Sequence, residues 1–97
     1  MTRDEIIGKL RASEDELHAL GLGRLFLFGS AARGAPDPGD VDLAFETGGN
    51  PHFSLLSQAA ALARLEEILE SEVDLVLRDS LHPAIRGRVE AEMVEVF

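Results

Sequence analysis

Residues 29–46 read Gly29-Ser-Ala-Ala-Arg-Gly34, then Ala35-Pro-Asp-Pro-Gly39, then Asp40-Val-Asp-Leu-Ala-Phe-Glu46. The last piece alternates acid and apolar, then small and apolar, and period two means strand. Val41, Leu43 and Phe45 share one face; Asp40, Asp42 and Ala44 share the other. The middle piece is a loop by its Pro and Gly content. The first is a tight turn with room for one helical turn. Just upstream, Arg24-Leu-Phe-Leu-Phe-Gly29 is a short run of large apolar residues closed by glycine. It is too short for a helix and reads as a buried strand. Strand, tight turn, loop and acidic strand in succession place a sheet at the centre of the fold.

The flanks supply the rest of the layer. Thr2 to Leu20 reads as helix: Thr2 with Glu5 has capping-box spacing, and Ile6, Leu10, Leu17 and Leu20 fall at helical intervals. Ser13 with Glu16 repeats the capping pattern, which predicts a break near Ala12. Leu55 to Leu69 is a second helix. Asn50-Pro51 reads as its N-cap and first position, with Ser54 as a rival start. Glu72-Val-Asp-Leu-Val-Leu77 is a third strand. Ser80 is the expected N-cap of a last helix, in which Leu81, Ile85, Val89 and Met93 step by four as a buried stripe. The expected class is α/β, a small mixed three-stranded sheet covered by helices, in the order α-β-(turn)-β-α-β-α. At 97 residues, one domain over 1–97 is expected, with no second domain to hold a large acceptor substrate.

Asp40, Asp42 and Asp74 stand within strands, where Asp is disfavoured. Asp40 and Asp42 are two apart, so their carboxylates leave one face about 7 Å apart. If Asp74 on a neighbouring strand joins them, three like charges need a cation, and an all-oxygen donor set suits a hard divalent ion. Read alone, the acids also suit two solvated carboxylates at a strand entry and a third in a salt bridge. Gly29-Ser30 after the first strand lets backbone N–H groups approach an anion, with the Ser30 hydroxyl and Arg33 as further donors. That turn is equally a glycine bend beside a solvated Arg33. Together, a phosphate cradle followed by Asp-x-Asp is the donor set that two-metal phosphoryl transfer requires.

The stretch FGSAARGAPDPGDVDLAF resembles the signature of the minimal nucleotidyltransferases of the DNA polymerase beta superfamily, matching at Gly29, Ser30, Arg33, Gly34, Asp40, Asp42 and Leu43. EVDLVLRD resembles the family's third-acid strand, with Asp74 in that role. Gly39 stands where the family usually has Ser, and the loop before Asp40 is one residue shorter; neither removes a carried-over ligand. The resemblance implies a nucleotidyltransferase fold, two Mg²⁺ ions held by Asp40, Asp42 and Asp74, and phosphates held by Gly29, Ser30 and Arg33. Asp74 would also position or deprotonate the attacking hydroxyl. Proteins similar to this are antitoxins that move AMP from ATP to a tyrosine of an all-helical HEPN ribonuclease toxin. The implied alternatives are a small-molecule nucleotidyltransferase whose acceptor site a partner subunit completes, and a non-enzymatic module that neutralises a toxin by binding.

Composition bears on the partners. Lys and Arg number 9 against 18 Asp and Glu, a net charge of −9. That charge repels phosphate backbones, so direct nucleic-acid binding is not expected, whereas a basic protein surface or a metal–nucleotide complex fits. The absence of Cys removes thiolate metal sites and Cys nucleophiles. The absence of Tyr means that the chain cannot label itself on tyrosine, so a tyrosine acceptor must arrive on another molecule. No apolar run approaches the roughly 20 residues of a membrane helix, and no signal-peptide core is present; a cytoplasmic location is the expectation. His18, His52 and His82 have no second His at ligand spacing. Glu66, Glu67, Glu70 and Glu72 read as a solvated face, and Leu81 to Phe97 as core.

Overall fold

A computed structural model describes residues 1–35 and 39–97. The loop expected at Ala35–Gly39 falls mostly on residues 36–38, outside that range.

The first helix, α1 (Arg3–Ala12), opens with the expected capping box: Thr2 Oγ1 accepts from the Glu5 N–H at 3.2 Å, and the Glu5 carboxylate accepts from the Thr2 N–H. The break falls at Ser13, after which α2 (Glu14–Ala19) resumes. The second capping box does not form. Ser13 sits at φ −106°, ψ 16° instead of extended backbone, so its hydroxyl does not cap α2. Strand β1 (Arg24–Phe28) then runs straight into a four-residue helix, α3 (Gly29–Ala32). Strand β2 (Val41–Glu46) returns antiparallel to β1.

Helix α4 (Leu55–Leu69) starts at the rival position, with Ser54 as N-cap and Ser57 answering it. Asn50 instead closes a turn, its Oδ1 accepting from the His52 N–H at 2.9 Å. A parallel neighbour needs a crossover, and α4 supplies it. It buries Ala61, Leu65 and Leu69 and delivers the chain to β3 (Val73–Leu77), parallel to β2. Its first turn overruns the core: Leu55 and Leu56 are 85% and 83% exposed.

A short 3₁₀ turn (Arg78–Ser80) precedes α5 (Pro83–Glu92). The N-cap is His82, not Ser80: its Nδ1 accepts from the Ala84 N–H at 3.0 Å. The expected buried stripe is a further correction. Only Val89 is buried, Leu81 and Met93 are half-buried, and Ile85 is 39% exposed. The helix buries one residue, Val89, and Ile85, Arg88, Val89 and Glu92 line a cleft. The sheet also has a fourth strand, β4 (Val94–Glu95), antiparallel to β1, giving the order β3-β2-β1-β4 among the described residues. Two residues are too few to show a period, which is why β4 is silent in the sequence.

The strands alternate as their pattern predicts. Leu25, Leu27, Val41, Leu43 and Phe45 enter one core with Ile6, Leu10, Leu17, Leu65 and Leu69 from α1, α2 and α4. The opposite face carries Phe26, buried beneath two guanidinium groups, Arg24 and Arg78, at 5.0 and 4.8 Å from its ring. Arg78 is held there by Glu46 at 2.9 Å and Glu90 at 3.4 Å. Among the described residues, no helix is long and apolar enough to cross a membrane.

His18 ties α2 to the chain end. Its ring packs edge-on against Phe97 at 4.9 Å, with Nδ1 2.8 Å from the Leu22 carbonyl and Nε2 3.2 Å from the Glu14 carboxylate. Both partners only accept, and a neutral imidazole has one N–H, so protonation adds a second bond. The hydrogen bond to the Leu22 carbonyl raises the His18 pKa above 6.5, desolvation opposes it more weakly, and Glu14 adds to the rise. A raised folded pKa gives stability that is present below 6.5 and lost as pH climbs through the raised value. The melting temperature of wild type should therefore exceed that of His18→Gln by more at about pH 6 than at about pH 8.5. A pH-independent difference would rule this out.

Candidate active site

Register places the acids. Asp42 pairs with Asp74 across the parallel β2–β3 ladder, so their Cα atoms are neighbours and both side chains leave the same face. Across the antiparallel ladder Asp42 pairs with Phe28, which brings the next residue, Gly29, against it. Gly29 has φ +74°, and a Cβ there would collide with the Asp42 carboxylate. Glycine at this position is what lets the turn and the acid share the space. Asp40 lies one residue before β2, in a bend, and is exposed like Asp74, while Asp42 is half-buried.

The three charges interact. Burial raises the Asp42 pKa above its ordinary 3.8, Asp74 and Asp40 raise it further, and Arg33 opposes them. Among the described residues no three acids or histidines close on one point as a metal cage. Carboxylates that repel one another, with half-buried Asp42 sharing a face with exposed Asp74, are nonetheless a donor set suited to a hard divalent cation.

On the other side of Gly29, two of the groups expected to cradle an anion hold a carboxylate of the protein itself. The Gly29 N–H donates to Glu92 Oε1 at 3.3 Å, and Arg33 Nη1 donates to Glu92 Oε2 at 3.0 Å. Ser30 follows in α3, half-buried. At four residues α3 is too short for its dipole to count for much, so the cradle rests on the amide and the guanidinium. A cleft of about 370 Å³ opens between these groups and α5, lined by Phe28, Gly29, Arg33 and Asp42 on the sheet side and by Ile85, Arg88, Val89 and Glu92 on the helix side. The α5 residues escaped the sequence reading because their spacing fits a core stripe. The charged pair Arg88 and Glu92, four apart on the same helix, was the available signal that this face meets water.

Residues 8–96 match the family model of the nucleotidyltransferase domain. The chain belongs to that family. It is 36% identical over 78 residues to MJ0435 of Methanocaldococcus jannaschii, a candidate protein adenylyltransferase, covering 79% of this chain and 82% of that protein. A solved structure described as a candidate minimal nucleotidyltransferase superposes with a TM-score of 0.74 at 30% identity, over 97% of this chain and 95% of that one. The fold also recurs in the Shewanella oneidensis complex of an MNT antitoxin with tri-AMPylated HEPN toxin, at a TM-score of 0.60 and 22% identity, over 98% of this chain and 68% of that one. The mixed sheet with helices is thus the nucleotidyltransferase fold, carried here with four strands where three were expected.

Proposed function

We propose that this nucleotidyltransferase domain is an Mg²⁺-dependent protein adenylyltransferase. It moves AMP from ATP to a hydroxyl, taken to be a tyrosine, of a helical HEPN-type partner, and so acts as that toxin's antitoxin. The observation that carries the reading is the alignment of Asp42 with Asp74, with Asp42 and the Gly29–Arg33 cradle lining one open cleft. The relatives add the reaction class: one is a candidate protein adenylyltransferase, and another stands beside an AMPylated toxin.

In this scheme Gly29, Ser30 and Arg33 hold the outer phosphates. Asp40, Asp42 and Asp74 would hold Mg²⁺, which supplies charge stabilisation for the transferring phosphoryl group. Asp74, exposed and paired with Asp42 across the β2–β3 ladder, receives the proton of the incoming hydroxyl. The hydroxyl oxygen bonds to the α-phosphorus, the bond from that phosphorus to the bridging oxygen breaks, and pyrophosphate leaves. The acceptor comes on another molecule, because the chain has no Tyr to label.

The test is mass spectrometry of a candidate helical HEPN-type toxin, after incubation with ATP, Mg²⁺ and a sub-stoichiometric amount of this protein. The expected result is a gain of whole AMP units on a tyrosine and loss of toxin activity. Neutralisation that needs one molecule per toxin and no ATP would establish a binding antitoxin instead.

A further inference from the structure

The cradle that would take nucleotide phosphate is engaged internally. Glu92 sits at the end of α5 and reaches across the cleft to the backbone N–H of Gly29 and the guanidinium of Arg33. A carboxylate offers two anionic oxygens in one plane, as a phosphate offers any two of its own, and it satisfies the same donors with similar geometry. The contact is not a rim accident: the Glu92 side chain is only 25% exposed, and it lines the cleft along with Arg33 and Asp42. It also bridges elements far apart in sequence, fastening α5 to the turn after β1.

We propose that Glu92 is a built-in competitor for the phosphate position, so that nucleotide enters by displacing it. This rests on the nucleotide reading given above. Its consequence is a weakening that falls on phosphate ligands alone. A ligand without phosphate has nothing to offer Gly29 and Arg33 and leaves Glu92 in place. A polyphosphate exchanges its own oxygens for those of Glu92. Glu92 thereby lowers affinity for the phosphates of any nucleotide and leaves contacts to the nucleoside untouched.

The role separates from simple structural support. A carboxylate that only props up α5 should, when removed, loosen the cleft and weaken every ligand. A competitor should, when removed, strengthen phosphate ligands alone. Isothermal titration of ATP with Mg²⁺, and separately of adenosine, into wild type, Glu92→Gln and Glu92→Ala tests this, with thermal melts confirming that each variant is folded. The expected result is ATP binding about three- to tenfold tighter in both variants, as for an ion pair of moderate exposure. Adenosine binding should be unchanged, and the gain should shrink at high salt. Unchanged or weaker ATP binding in the two folded variants would overturn the proposal while leaving the nucleotide reading intact. ATP failing to bind wild type and both variants would overturn the nucleotide reading itself, and the competitor with it.

Discussion

Asp42→Asn is expected to lower nucleotidyl transfer by about 10²–10³-fold while raising the melting temperature. The two signs come from one cause. Burial, with the charges of Asp74 and Asp40 added, holds the folded pKa of Asp42 above 3.8. An acid whose pKa rises on folding destabilises the fold when ionised. That cost is present at every pH above the raised value and fades as pH falls through it towards 3.8. Asparagine keeps the shape and removes the charge, so the empty fold gains stability at neutral pH. On the proposed reading, the same change removes an anionic ligand from the side of the cleft where charge must be balanced during transfer. Melts of both proteins at about pH 7 and about pH 4 check the first half, with the gap narrowing at the lower pH. Single-turnover transfer checks the second. A variant that is less stable at neutral pH, or one that transfers at the wild-type rate, would show that Asp42 does not have this place.

Gly29→Ala should damage both stability and activity. A φ of +74° costs an L-residue about 1–2 kcal/mol, a fall of roughly 4–16 °C in a domain of this size. The new methyl group also collides with the Asp42 carboxylate and crowds its Cγ at 3.1 Å and Cβ at 3.3 Å, so the whole side chain must swing away. Transfer should fall about 10²-fold or more, since the acid and the cradle amide move together. The steric share can be isolated. In an Asp42→Ala background the collision with the carboxylate is gone, leaving the dihedral cost and the tight 3.3 Å approach to the residue-42 Cβ, so Gly29→Ala should be less harmful there. Additive losses in the double variant would mean that the two residues do not crowd each other.

Much of this arrangement was legible from residue pattern. The strands at Arg24, Val41 and Val73 declare themselves because alternation survives wherever one sheet face is buried and the other is not. The acids stand out because Asp inside such a pattern needs a reason. Legibility fails where a local signal has two outcomes. Asn50-Pro51 and Ser54 both look like helix starts, and the decision lay in Ser57 answering Ser54. Ser80 yielded to His82 because Pro83 settles the first helical position, and the residue just before it becomes the cap. The stripe on α5 was misread because periodicity reports a face and not what covers it. Ile85 follows the helical period and still faces an open cleft. Glu92 was invisible for a different reason: its partners are more than fifty residues away in sequence, and no local pattern encodes such a contact.

The β2–β3 register has a bearing on how such a protein changes over generations. Val41, Leu43 and Phe45 fill the core in step with Val73, Leu75 and Leu77, and that same step sets Asp42 opposite Asp74. A slip of one residue would turn both apolar sets out to water, so the alignment of the acids is inherited from packing and needs no selection of its own. What does need selection is Asp42, since its half-buried charge beside Asp74 is a burden on the fold that carries it. Where the chemistry ceases to matter, substitutions at Asp42 should accumulate first, and they leave behind a sturdier scaffold with its surface intact. Loss of catalysis in this lineage is therefore a downhill path, and it ends in a folded protein.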